Sequence, residues 1–266
     1  MKKTIKKYLK IFWMLQSARV SQELGFRFNF IFEFLGSYCF FLLHLISFRF
    51  LLSKYSFPGW STGEAWVLLF TFEIYTYLAF FILYKGLTRT VIDIRTGGLD
   101  IILAKPVQSR LIAFFRSGGL HNLATGVLGV VYLVITLLQY KLSVSIFSII
   151  IYIISLISSV WILHCMSVIV MSLNFYLEQI TSDSSIVFES QEAMKYPSNI
   201  YSGIPILMRI FFYTFSCLVT LPTVLLLTKK ISVQYIFGYI IFLVIVTIFS
   251  QVFWEHSLRR YSSASS

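Results

Sequence analysis

The sequence predicts an all-α fold: a polytopic integral membrane protein with six transmembrane helices, an amino-terminal amphipathic helix in the interface and a short cytoplasmic helix. Three observations predict it. Of the 266 residues, 58% are hydrophobic and only 12% are charged, where a soluble domain carries about 25% charged residues. Six apolar runs reach the roughly 20 residues that a spanning helix needs. The basic residues then sort to one side of those six spans, as the positive-inside rule requires. The net charge of +11 therefore points to basic loops against an anionic leaflet and not to nucleic acid.

Residues 1–24 read as an amphipathic helix in the plane of the interface. Ile5, Leu9 and Phe12 recur at helical spacing, with Lys3, Lys6, Lys7 and Lys10 opposite them. No continuous apolar core with a small-residue cleavage site follows, so the segment is not a signal peptide. The six spans, over a region from 30 to 254, are expected at Phe30–Leu51, Ala65–Tyr84, Leu120–Tyr140, Val144–Leu173, Ile206–Leu227 and Val233–Trp254. The fourth is long enough to tilt or protrude. Pro58-Gly59 turns the chain between the first two. Six spans put both termini on one side. Seventeen Lys and Arg fall on that side and five on the other, so both termini are expected in the cytoplasm, with 255–266 as a tail. The whole chain, 1–266, reads as a single transmembrane domain.

Two cytoplasmic segments stand out. Arg89–Val107, RTVIDIRTGGLDIILAKPV, is the most charge-mixed stretch between two apolar runs. Gly97-Gly98 interrupts a helix entering from the apolar side. Leu99–Leu103 can make one or two turns before Lys105-Pro106 stops them. That is a short helix between hinges; the same composition also fits a solvated loop. The second segment, Asn174–Ser202, is the more acidic, with room for a short helix ending at Tyr196-Pro197. Near the end of the fifth span Pro222 precedes Lys229-Lys230, a basic pair on the wrong side for the rule, so the chain there can dip back into the membrane.

The chemistry missing from the sequence narrows the function. No glycine is followed by lysine, so there is no phosphate-binding Walker loop; no zinc-protease helix or serine elbow is present either. Cys39, Cys165 and Cys217 lie inside apolar runs without metal-ligand spacing, and the four histidines are scattered. No metal site and no bound cofactor is expected. Glu33 and Glu73 fall in or near spans, where an ionisable group is costly and a functional candidate by default. Glu33, near a cytoplasmic end, can pair with Arg27 or Lys85 as an interfacial anchor. Glu73 lies nearer mid-membrane and can pair with His44 from the first span, as a structural contact or as part of a translocation path.

Taken in order, these features resemble a family. A basic amphipathic helix and six spans enclose a loop with Gly98-Leu99-Asp100, then Leu103 and Lys105-Pro106-Val107. Tyr196-Pro197, Ile200-Tyr201, Arg209 and Pro222 follow, and the chain closes with Phe253-Trp254 and Leu258-Arg259-Arg260-Tyr261. This resembles the permease subunits of type-2 ABC exporters, the ABC-2 superfamily, in its bacterial six-span branch of roughly this length. One departure is Thr214, where a further proline is expected. The resemblance implies an efflux permease in the bacterial cytoplasmic membrane. It implies ATP hydrolysis by a separate cytosolic ABC ATPase subunit and a second permease chain, identical or similar, as partners. Gly97, Gly98, Leu99, Asp100, Ile102, Leu103, Lys105 and Pro106 would then couple the two subunits, with Leu99, Ile102 and Leu103 as apolar anchors on the ATPase.

Two other classes stay open. An ion-driven secondary transporter would use broken helices and charges near the midplane, for which Glu73 alone is thin support. An integral-membrane enzyme would need a cluster of acids, histidines or cysteines, and none is visible. Peptide, drug, lipid or glycan all fit as cargo.

Overall fold

The computed structural model describes residues 10–11, 13–18, 20–21, 25–105, 107–115, 119–176, 190–229 and 232–261. Every regular element among them is helical, and six helices are long and apolar enough to cross a membrane. Of the expected amino-terminal helix, the described residues from 10 to 21 are helical with Trp13 and Met14 exposed, while Lys3, Lys6 and Lys7 lie outside the described residues.

Helix α1, Arg27–Lys54, buries one stripe. Ser37, Phe41, His44 and Phe48 follow at intervals of three or four and so share a face. Phe41 rests on Tyr77 and Tyr132, Phe48 on Trp66, and the Tyr77 hydroxyl donates to the Ser37 carbonyl at 2.7 Å. The rest of α1 is exposed and apolar, as a lipid-facing helix should be. The end where α1 starts is called here the terminal face, and the other the opposite face.

Helix α2, Thr62–Thr96, starts at the opposite face and runs down the middle of the bundle. A capping box starts it: the Ser61 hydroxyl accepts from the Glu64 amide and the Glu64 carboxylate from the Ser61 amide. Val67, Leu68, Leu69, Phe72, Tyr75, Leu83 and Leu87 are all buried, so α2 is wrapped on most sides. It does not end at Tyr84. A π-helical turn, Phe80–Tyr84, leads into a further helical stretch, Lys85–Thr96. At about 1.5 Å per residue its 35 residues exceed a hydrocarbon core of about 30 Å. The last turns therefore stand clear of the membrane at the terminal face. Lysine and arginine do not break a helix; Gly97 does.

There follow the short helices α3, Leu99–Leu103, and α4, Ser109–Phe115, then the spans α5, Leu120–Gln139, and α6, Ile146–Ser172, with a 3₁₀ extension, Leu173–Phe175. Gly63 of α2 lets the two helices close, because a Cβ there would lie 2.6 Å from the Tyr140 ring beyond α5. Helix α7, Ile206–Leu226, stays regular through Thr214 and Pro222. The chain then turns at Thr228, and Ser232 caps α8, Val233–Leu258. The expected dip after Pro222 does not occur there: Lys229 stays at the opposite face, bonding the Gly59 carbonyl at 2.8 Å and Glu64 at 2.9 Å.

The chain dips before α7 instead. Helix α6 ends at the terminal face, where Phe175 meets Trp254 near the end of α8. Residues 177–189, with Glu178, Asp183 and Glu189, lie outside the described residues. The 3₁₀ helices Ser190–Lys195 and Ser198–Gly203 then pack along α7, the first of them also against α2. Glu192 reaches His44, Ser216 donates to the Tyr196 carbonyl, and Asn199 donates to the Pro58 carbonyl at 2.8 Å at the opposite face. Tyr201 comes back down to stack on Phe212. The expectation of a loop confined to one surface is thus corrected for 190–203. Gln191, Met194, Pro197 and Ser198 anchor the broken backbone against protein, while Asn199, Ile200, Ser202 and Gly203 stay exposed. With the three cysteines replaced by serine, cysteines at Gly59 and Asn199 should react with an impermeant maleimide from the same side of sealed membranes. Labelling from opposite sides would refute the dip.

Candidate functional site

Two regions carry the sequence candidates, and α2 joins them. The first is the stretch below α2. Thr90 ties the helix to α4 when its hydroxyl donates to the Ala113 carbonyl at 2.9 Å; the alternative acceptor, the Gly86 carbonyl of its own helix, lies at 2.7 Å. Gly97 ends α2 with φ +77°, a left-handed cap. Gly98 follows so closely that a Cβ would lie 2.8 Å from the Asp93 carboxylate. Gly97→Ala, which forces a methyl into the left-handed region, should cost about 1 kcal/mol and lower the unfolding temperature in detergent. An unchanged midpoint would show that the cap is dispensable.

Helix α3 faces differently from the expectation. Leu99 and Ile102 turn inward and are buried against their own chain, so they hold α3 to the permease body. The side chains left outward are Ile101, 69% exposed, and Leu103, 39% exposed, with Lys105 exposed beside them. Pro106 lies outside the described residues. The carboxy-terminal Tyr261 closes this corner edge-on to Phe175, which meets Trp254 in the same way. Burial and the neighbouring Asp100 carboxylate push the Tyr261 hydroxyl above its ordinary pKa, so it stays a neutral donor beside that acid.

The second region is a cavity of about 520 Å³ between α1, α2, the start of α5 and the 190–195 helix. At its terminal-face end Glu33 is bound by Lys85, 3.1 Å from Nζ, and by His121, 2.8 Å from Nδ1. At its deep end His44 Nδ1 lies 2.8 Å from Glu73 Oε1, and His44 Nε2 lies 3.5 Å from Glu192, which pairs with Lys195. The helical rise puts His44 about 16 Å above Glu33 along α1, close to mid-membrane. Glu73 is fully buried, and its Oε2 has no hydrogen-bond partner among the described residues.

The structure thus brings His44 and Glu73 together and places Glu33 on Lys85 and not on the interface alone. Sequence reading missed His121, Glu192 and Gln191. The last two sit in a segment whose polar composition resembles a surface loop; the signal available was that Glu192 and Lys195 are spaced to pair along a helix. No group of three or more His, Cys, Asp or Glu among the described residues could hold a metal ion.

A family model described as "ABC-2 family transporter protein" matches residues 37–265. No curated protein and no solved structure matches the chain.

Proposed function

Because the chain belongs to the ABC-2 transporter family, we propose that it is the permease subunit of a bacterial exporter, driven by ATP hydrolysis in a separate cytosolic ATPase. The family itself is a family of membrane transport proteins whose membrane domains are typically non-catalytic, and the six candidate spans fit a multi-pass subunit. The terminal face, which carries most of the basic residues, is then cytoplasmic, and a second permease chain completes the complex.

One observation carries this reading. The helix that holds Glu73 deep in the bundle continues, through the π turn, to Gly97, and α3 follows it at the terminal face. A partner that moves α3 therefore moves the cavity wall, through a single rod with a π turn at Phe80–Tyr84 as its compliant point. His44 and Glu73 belong to the translocation path in this reading. The test is to purify the permease together with a candidate ABC ATPase from the same organism, sought first among the neighbouring genes. The pair should co-elute and hydrolyse ATP, and the permease alone should not. Hydrolysis by the permease alone, or no association with any ATPase, overturns the reading.

A second reading, ion-driven transport, is favoured by the His44–Glu73–Glu192 cluster at a broken segment. It predicts uptake by permease-only vesicles in response to a proton gradient, which the first reading does not.

A further inference from the structure

We propose that the cavity between α1 and α2 is a binding site for amphipathic primary amines, with the ammonium at Glu73 and the apolar body along the aromatic wall. The proposal rests on the permease reading and gives its path a cargo chemistry.

The deep end asks for a hydrogen-bond donor. Glu73 keeps one carboxylate oxygen unpartnered although the residue is fully buried, and a buried acceptor without a donor is costly. Gln191, 1% exposed, lines the same space, and neither of its amide atoms has a partner. Thr76 adds an unpartnered hydroxyl. These groups belong to α2 and to the inserted segment, and none is needed to hold the other in place. Two unpartnered acceptors, Glu73 Oε2 and Gln191 Oε1, therefore stand in one polar region, which suits a ligand that donates several hydrogen bonds.

Charge selects the sign of that ligand. The lysines at the two ends are already engaged, Lys85 on Glu33 and Lys195 on Glu192. An anion entering would have to displace a carboxylate from one of them. A cation in the cavity lies near the buried, unpartnered oxygen of Glu73 and among Phe40, Phe72, Phe80 and Tyr77, and aromatic rings attract ammonium groups. The two polar ends stand about 16 Å apart by helical rise, with apolar wall between, which suits an elongated amine over a compact polyamine. A primary ammonium can donate to Glu73 Oε2; a quaternary one cannot.

The test uses the purified full-length permease in phosphatidylcholine nanodiscs, without ATPase, and the fluorescent amine dansylcadaverine. Fluorescence should rise and shift to the blue on saturable binding. The N-acetylated analogue, which lacks the charge, should bind at least tenfold more weakly, and the trimethylammonium analogue should also be weaker than the amine. Glu73→Gln should lose about tenfold. Gly36→Trp places a large ring at the cavity wall, from a position where a Cβ meets nothing within 4 Å; the variant that purifies and unfolds as the wild type does should lose binding. Equal affinity for the acetylated probe, or full binding by a folded Gly36→Trp, overturns the proposal. Competition by phosphatidylethanolamine in the nanodisc would assign the amine to a lipid headgroup, and its absence to a free amphiphile. If wild type binds no amine yet still associates with the ATPase, the site fails while the permease reading stands.

Discussion

Ile101→Asp should weaken association with the ATPase by at least tenfold while the permease inserts and unfolds as the wild type does. Ile101 is the most exposed apolar side chain of α3. Burying such a side chain at a contact contributes about 1.5–3 kcal/mol, and each 1.4 kcal/mol or so is a factor of ten in affinity. A carboxylate in the same contact removes that gain and adds a desolvation cost. Leu99→Asp, two positions earlier, should do something different. Leu99 is completely buried within the permease, and an unpaired charge there is among the most damaging substitutions known. That variant should be lost to misfolding before association can be measured. The comparison therefore reads the orientation of α3 directly. Co-purification of the ATPase and the yield of monodisperse permease are the two measurements. A well-folded Leu99→Asp that fails to bind, beside an Ile101→Asp that binds normally, would mean that α3 turns over to meet its partner.

The spans were legible because hydrocarbon leaves no choice: an apolar run of that length must be a helix. Their ends were less so. The second span was placed at Ala65–Tyr84; the helix itself runs on through Lys85 and Arg89 and stops at Gly97, where Gly97-Gly98 was expected to interrupt it. Breaks follow backbone sterics and not polarity. The spacing of Leu99, Ile102 and Leu103 correctly describes a helical stripe, but nothing local says whether a stripe faces its own chain or a partner. Here Leu99 and Ile102 face inward. His44 and Glu73 could be singled out because ionisable groups are rare at that depth. Glu192 could not, since its segment is polar, short and surface-like, and only the bonds of that segment to α7 bring the half-exposed carboxylate against His44.

Glu73→Ala should lower the stability of the permease by about 1.5–3 kcal/mol, because it removes the charge-assisted contact that holds the half-buried His44 of α1 to α2. Glu73→Gln keeps an oxygen that can accept from the His44 ring and should cost much less. The double variant Glu73→Leu, His44→Phe replaces the pair by apolar side chains of similar size and should regain most of the lost stability, since a buried pair is seldom worth more than well-packed hydrocarbon. Transport separates the two roles that stability leaves entangled. If the pair belongs to the path, Glu73→Gln and the stable double variant both assemble with the ATPase, both lose coupled transport, and neither is rescued by more protein in the membrane. If the double variant transports as the wild type does, the pair only holds α1 against α2, and the path must lie elsewhere. Thermal unfolding, ATPase co-purification and transport-coupled hydrolysis on the same preparations decide between them, because only a functional role lets stability recover while transport does not.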